Sequence, residues 1–271
     1  TTSLSFAPIP AQTYGNPPFT VSATSASNGT VIYTVSGPAT VQNNTVTIRG
    51  TGAVTITANQ SASGIYAAAT QQTTVNVAKA ALTVTSNNAT RAYGTVNPAL
   101  SGTLAGVVVN DGITASYSTN ATAISSAGGT YSVTAALNDP NNRLGNYTVT
   151  AIPAVFTITQ AASNLALSAS ASSITAGQSL TLTATATDTM ASSTGTPTGT
   201  VVFLDGSTQL GTATLANGTA SLSISTLAPG ISHSLTATYA GDVNFTGSSV
   251  SSPVVVPVTR LGFSSVSYTH L

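Results

Sequence analysis

One rhythm runs through this chain and limits what it can become: apolar and polar residues alternate with period two. In Ser179–Ala186, Leu180, Leu182, Ala184 and Ala186 fall on one side and hydroxyl side chains on the other. Gly218–Ser225 repeats the pattern with Ala220, Leu222 and Ile224, and Ser234–Tyr239 with Leu235, Ala237 and Tyr239. Asn44–Ile48 and Ala53–Ala58 do the same around the turn Gly50-Thr51-Gly52. Successive side chains of a strand point to opposite faces, so each segment predicts a strand with one buried and one wet face. That is the pattern of antiparallel sheets packed face to face. No stretch carries the i, i+3, i+4, i+7 apolar spacing of a helix. Turn signals separate the strands: Asn28-Gly29, Asp111-Gly112, Gly128-Gly129, Asp205-Gly206, Asn217-Gly218 and Pro229-Gly230. Asn-Gly and Asp-Gly tolerate the positive φ of tight hairpins.

The wet faces are wet without charge. Only 4% of the 271 residues are charged, in five cations and five acids, and the net charge is zero. Every acid is Asp, the lone Lys is Lys79, and Ser and Thr make up about a third of the chain. Five cations cannot neutralise a nucleic-acid backbone, so no nucleic-acid partner is expected. The absence of Cys excludes disulfides, thiolate metal sites and thiol catalysis. With 41% hydrophobic residues the chain can build cores and is not simply disordered. The longest apolar runs, such as Val107–Val109, Val201–Leu204 and Val254–Val256, are far short of the ~20 residues of a spanning helix, so no membrane insertion is expected in this segment.

The alternation is organised in repeats. Thr13-Tyr14-Gly15-Asn16-Pro17-Pro18-Phe19 is echoed by Ala92-Tyr93-Gly94-Thr95-Val96-Asn97-Pro98-Ala99, about 80 residues later, close to the length of one β-sandwich. Short linkers, Ala78-Lys79-Ala80 and Gln160-Ala161-Ala162, stand between the strand blocks and contain neither Gly nor Pro. Linkers this short are not random-coil tethers. The expected division is therefore a sandwich over 1–78, a second over 79–160, a third over 161–258, and a tail over 259–271 that belongs to no domain. Val266–Leu271 resembles a translated sequencing-adapter frame, so the tail is expected not to be native. The opening Thr-Thr-Ser shows no Met or signal peptide, so the chain is expected to be an internal, soluble piece of a longer protein.

Residues 163–258 carry Gly199-Thr-Val-Val-Phe203, Asn217-Gly218-Thr-Ala220 and Thr236-Ala-Thr-Tyr239-Ala-Gly241-Asp242-Val-Asn244-Phe245. Together they resemble the bacterial Ig-like repeat domain. Residues 79–160, through Lys79-Ala-Ala-Leu-Thr-Val84, Tyr93-Gly94, Gly129-Thr-Tyr-Ser-Val133 and Asn146-Tyr-Thr-Val149, resemble the MBG/YDG-type bacterial Ig-like domain. Residues 1–78 are similar more loosely, through Tyr14–Phe19 and the Val-Thr-Ile strands. The fold class expected is all-β, with three tandem Ig-like β-sandwiches in an elongated array. The resemblance implies a place at the bacterial cell surface or outside the cell, in a large secreted or surface-attached protein.

No catalytic, cofactor-binding or metal-ligating residue is assigned, and no cofactor is expected. His233, flanked by Ser232 and Ser234, is the credible histidine, but it follows the turn Ala228-Pro229-Gly230 at the start of a strand, where alternation is expected to point it outward. A hydrolase triad needs a base with an oriented nucleophile, and no Gly-x-Ser-x-Gly elbow is present. Five scattered Asp do not suggest the paired carboxylates of a glycosidase. Asp242-Val243-Asn244 and Asp139-Pro140-Asn141-Asn142 offer oxygen ligands for calcium, yet both are also ordinary turn sequences. Lys79 lies in a linker, which argues against a Lys-based isopeptide. Tyr14 and Tyr93 are expected to plug sandwich ends, Tyr239 to face inward, and Tyr33, Tyr66, Tyr117, Tyr131 and Tyr147 to form no sugar-stacking ladder. The function expected is a non-catalytic stalk or spacer of an adhesin-like protein, whose partners are the neighbouring domains of the same chain. The competing reading is a carbohydrate- or host-surface-binding module that acts through loop tips.

Overall fold

The structure is a computed structural model that describes residues 3–190 and 195–262. The expected tail, with His270 and Val266–Leu271, lies outside the described residues apart from its first four positions. The described chain is strand throughout, and a single 3-10 turn, Leu144–Asn146, is its only helical element. It divides into two compact units. The first takes in residues 1–87, 100–118 and 133–154, the second residues 88–99, 119–132 and 155–271.

In the first unit the alternating segment Gly52–Gln60 lies between Ala69–Ala78 and Val31–Ser36, antiparallel to both. The short strand Gln12–Thr13 joins the far side of Ala69–Ala78 in parallel. A smaller sheet, in the order Phe19–Thr20, Thr45–Ile48, Ala39–Gln42, supplies the opposing layer. Val54, Ile56 and Val46 fill the space between, with Val21, Val75 and Val77. Beyond Lys79 the chain re-enters a sheet at once. Ala80–Ser86 pairs in parallel with Tyr147–Ile152 and antiparallel with Gly102–Ala105.

In the second unit Ala89–Ala92 runs parallel to Ala154–Thr159. Leu180–Asp188 lies between Ser163–Ala169 and Thr219–Ile224 in one sheet. The facing sheet is ordered Ile174–Thr175, Val254–Thr259, Ser232–Gly241, Thr200–Asp205, Thr208–Thr214, with Thr246–Ser249 also on Ser232–Gly241. Leu180, Leu182, Val201, Phe203, Leu235, Ala237 and Val256 from the two inner faces form one apolar core. Burying each large side chain there contributes roughly 1.5–3 kcal/mol. The outer face of Leu180–Asp188 carries hydroxyl pairs instead, Thr181 with Ser223 at 3.0 Å and Thr183 with Ser221 at 3.4 Å. The hairpin at Asn217-Gly218 has positive φ at both residues, 49° and 78°, as its sequence requires.

One expectation fails here. His233 does not point outward: it is 5% exposed. Ser232–Gly241 alternates strictly, and the parity that buries Leu235, Ala237 and Tyr239 buries His233 with them. The histidine does stand at the start of a strand, as its second residue, but it has the parity of Leu235 and therefore faces the core.

Candidate functional site

Chemistry collects where a Tyr-Gly corner meets an aromatic residue from a later turn, once in each unit. The corner is built the same way both times. A short strand pairs in parallel with a much later one, and the Tyr amide donates to that strand's last carbonyl: Tyr14 to Ala78 at 2.9 Å, and Tyr93 to Thr159 at 2.8 Å. A four-residue turn follows, closed from Asn16 N to Thr13 O at 3.0 Å and from Thr95 N to Ala92 O at 3.3 Å. Gly15 and Gly94 occupy its third position with φ of 88° and 76°. A type II turn needs positive φ there, which is why glycine follows the tyrosine. Gly15 is also fixed by space, because a Cβ on it would stand 2.6 Å from the Val108 side chain.

In the first unit, Tyr14 meets Tyr147 edge to face, with ring centroids 5.6 Å apart. Both hydroxyls turn to one carboxylate. Tyr14 Oη donates to Asp111 Oδ1 at 2.9 Å and to Oδ2 at 3.0 Å. Tyr147 Oη makes a short bond to Asp111 Oδ2 and accepts the Val108 amide at 2.8 Å. Asp111 is only 5% exposed, so these two hydroxyls replace its water. Burial raises the Tyr147 pKa, and the bond to Asp111 adds to the effect, pushing it up to about 12. Tyr14 is raised for the same two reasons, burial first. Beside this pair Asn146 Oδ1 accepts the Thr51 amide at 3.0 Å. Lys79 is exposed, the single residue between strands Ala69–Ala78 and Ala80–Ser86, and Ala80 is in register with Tyr147.

In the second unit, Tyr93 meets Phe245 edge to face at 5.5 Å. Asn244, just before Phe245, accepts the Ala127 amide on Oδ1 at 3.0 Å. Ala161 bridges Phe245 in parallel: its amide donates to Asn244 O at 2.8 Å and its carbonyl accepts Thr246 N at 2.9 Å. Gln160, the counterpart of Lys79, is held as well, since Nε2 donates to Asp242 O at 2.6 Å. Gly195 lies over the ring pair, where a Cβ would come within 2.4 Å of Tyr93. The two contacts therefore share an Asn-aromatic receiver and an amide clasp from an upstream loop, and each sits beside a short linker, Lys79 alone in the first unit and Gln160 to Ala162 in the second. Sequence reasoning singled out both corner tyrosines. It missed Asp111, Tyr147 and Phe245 as their partners. The Asn-Tyr and Asn-Phe dipeptides were the available signal.

The remaining candidates resolve into structural roles. His233 places both ring nitrogens on acceptors, Nδ1 on Asp205 Oδ2 at 2.5 Å and Nε2 on the Ala228 carbonyl at 2.9 Å. Two acceptors call for two N–H donors, so the imidazolium fits and no ring nitrogen is left to serve as a base. Burial pulls its pKa down, but the Ala228 carbonyl and the Asp205 carboxylate outweigh burial and the net shift is upward. Asp242 accepts from the Asn244 and Phe245 amides on Oδ1, and from the Thr198 amide and hydroxyl on Oδ2. Asp139 accepts the Arg143 and Leu144 amides. Protein donors thus already occupy both carboxylates offered as calcium ligands. No group of three or more His, Cys, Asp or Glu gathers among the described residues. Tyr33 accepts the Ala23 amide and packs on Phe6, Tyr131 donates to the Ser126 carbonyl, and Tyr239 is buried in the core. Among the described residues no helix is long and apolar enough to cross a membrane.

A first short strand parallel to the last, two facing sheets and hairpin connections define the immunoglobulin-like class. The family models make it specific. Residues 82–157 match the MBG domain (YGX type), and residues 167–259 match the bacterial Ig-like domain (group 3). The chain carries bacterial Ig-like domains in tandem, with Tyr93 in the first matched segment and Phe245 in the second. No curated protein matches its sequence. Among solved structures it is similar to the Escherichia coli adhesin FdeC, at 17% identity over 95% of this chain and 96% of that one, with a TM-score of 0.32. It is similar to invasin, a bacterial integrin-binding protein, at 14% identity over 96% of this chain and 60% of that one, with a TM-score of 0.36. The Clostridium thermocellum CbhA fibronectin(III)-like modules match at 13% identity over all of both chains, with a TM-score of 0.29.

Proposed function

We propose that the chain is a non-catalytic stalk segment of an adhesin-like bacterial protein, exposed at the cell surface or secreted, and that it holds some other domain at a distance. We read it as three sandwiches joined in series, over 1–78, 79–160 and 161–258. The observation that carries this reading is the repeated corner-and-receiver contact. A sandwich followed by a linker of one to three residues, and then docked through a tyrosine and an amide clasp, has little freedom to fold back on its neighbour. An edge-to-face ring pair is worth about 0.5–1.5 kcal/mol beyond its buried area, and the Asp111 bonds add to the first joint. Stiffness built from short linkers and buried rings is what a spacer requires, and it asks for no reacting group.

Sandwiches of strands near 8 residues, at ~3.3 Å per residue, are roughly 30–40 Å long with their loops. Three in series would reach about 100 Å. Solution scattering tests this. A compact globule of this length has a radius of gyration of about 18 Å, and a value there would end the stalk reading, whereas a rod of about 100 Å is expected to give about 30 Å.

A second reading, a glycan- or surface-binding module, is favoured by one feature. A cleft of about 250 Å³ opens beside the first corner, lined by Tyr14, Asn16, Asn110 and Asp111, with Arg49 and Arg143 exposed on its rim. Two of the chain's five cations thus face one opening, and the Asp111 carboxylate is held by tyrosine hydroxyls. An acidic sugar is the ligand class this suits. Micromolar binding of a uronic-acid or sialic-acid glycan, lost in Arg49→Ala with Arg143→Ala, would place binding ahead of spacing.

A further inference from the structure

The first unit contains a third receiver, and it is uncovered. Ser63–Tyr66 forms a four-residue turn in which the Ser63 amide donates to the Tyr66 carbonyl at 3.1 Å. The filled receiver of the second unit shares this bond, from the Asp242 amide to the Phe245 carbonyl at 3.0 Å. Each aromatic also occupies the same place in the chain path. Tyr66 precedes Ala69–Ala78, the strand that pairs in parallel with Gln12–Thr13. Tyr147 and Phe245 precede Ala154–Thr159 and Val254–Thr259, which pair in parallel with Ala89–Ala92 and Ile174–Thr175. What differs is burial. Tyr147 and Phe245 are 3% and 1% exposed, while Tyr66 is only half-buried and Ile65, ahead of it, is 94% exposed. An isoleucine so fully in water, at a position where the covered receivers carry Asn146 and Asn244, has no role within its own sandwich.

We propose that Ile65 and Tyr66 dock the Tyr-Gly corner of a further Ig-like domain joined on the N-terminal side of Leu4 in the same polypeptide. The inference rests on the stalk reading and names its next joint. The corner tyrosine seats edge-on against Tyr66, as Tyr14 does on Tyr147. Ile65 cannot accept the backbone amide that Asn146 takes from Thr51 and Asn244 takes from Ala127, so the upstream loop meets it with an apolar side chain. Neither corner of the present chain can serve, because Tyr14 and Tyr93 already occupy their own receivers.

The chain has no cysteine, which makes thiol reactivity a clean readout. Ile65→Cys is placed in the intact chain and in a tandem chain, where residues 1–80 are repeated ahead of residue 3, and maleimide labelling rates are compared under native conditions. The tandem chain is expected to label at least tenfold more slowly, and Tyr14→Ala in the added copy to restore the rate. Equal rates in the two chains overturn the proposal. Ala161→Cys in the intact chain separates this result from failure of the stalk reading. That residue is buried at the second receiver, so fast labelling there means that the joints themselves are open. Slow labelling at 161, together with an unprotected Ile65→Cys in the tandem chain, sinks the third receiver alone. If circular dichroism shows the added copy unfolded, residues 79–160 with their Tyr93 corner replace it, and the same two rates decide.

Discussion

The two joints have one backbone and two chemistries. Each has a type II corner with glycine at its third position, a tyrosine amide tied to the end of a distant strand, and an edge-to-face ring contact near 5.5 Å. In the first unit the ring pair closes over a buried carboxylate, and both hydroxyls are spent on Asp111. In the second the partner is Phe245, with no hydroxyl, and the corner ring lies against an apolar core. The geometry is thus set by the turn and the parallel strand pair, and the side chains can bind through charge-assisted hydrogen bonds or through contact area alone. The two solutions fail differently. A polar joint is directional and costly when half dismantled, because a buried group left unpaired keeps its desolvation penalty. An apolar joint degrades in proportion to the surface it loses.

The largest separation should come from removing the polar partner on each side. Asp111→Ala leaves two buried hydroxyls without their acceptor and is expected to cost about 2–4 kcal/mol. Asn244→Ala removes one amide contact at the other joint and is expected to cost about 1 kcal/mol. Urea unfolding followed by circular dichroism reads both. Equal losses would mean that Asp111 is not the keystone of its joint. The corner rings give a finer comparison. Tyr14→Phe deletes the bonds to the carboxylate and should cost about 1–2 kcal/mol. The Tyr93 ring acts through its edge-to-face contact with Phe245, without a hydrogen bond from its hydroxyl to another described residue, so Tyr93→Phe should stay within about 0.5 kcal/mol of the parent. A Tyr93→Phe loss as large as that of Tyr14→Phe would erase the distinction between the joints.

Much of this was written locally in the sequence. Leu180, Leu182, Val201 and Phe203 are fully buried as their parity requires, and Asn217-Gly218 makes its predicted turn. The corners were visible because Tyr-Gly recurs. A third copy of the corner was not, because alanine replaces tyrosine there. Ala176 N donates to Thr259 O at 2.9 Å, Gln178 N to Thr175 O at 3.0 Å, and Gly177 has a φ of 81°. The receivers were hidden for another reason. Tyr14 and Tyr147 meet only after several strands have paired, and no local pattern encodes that encounter. Asp111 was misleading in itself, since Asp-Gly reads as an exposed turn. It does make a turn, one that happens to face two tyrosines. His233 shows the reverse: its burial was legible from its parity with Leu235, and the outward orientation expected for it conflicts with that register.

The smallest expected effect separates the units along the pH axis. His233 belongs to the second unit, and its pKa is raised above the ordinary value by contacts that outweigh burial. A raised histidine gives stability that is fully present below the unfolded pKa, near 6.5, and is lost as pH climbs through the folded value. The second unit should therefore melt at a lower temperature at pH 8.5 than at pH 6. His233→Gln should flatten that slope, because a neutral amide cannot gain or lose the ion pair with Asp205. The first joint titrates elsewhere. Its tyrosines favour the protonated form in the folded state, so their contribution persists to about pH 10 and fades only as pH approaches the value of about 12 reached by Tyr147. Differential scanning calorimetry from pH 6 to pH 11 should show one transition moving in the neutral range and the other holding until the alkaline range. If both transitions shift together between pH 6 and 8.5, the His233–Asp205 contact is not what sets the neutral response, and the two units do not stand on separate electrostatic footings.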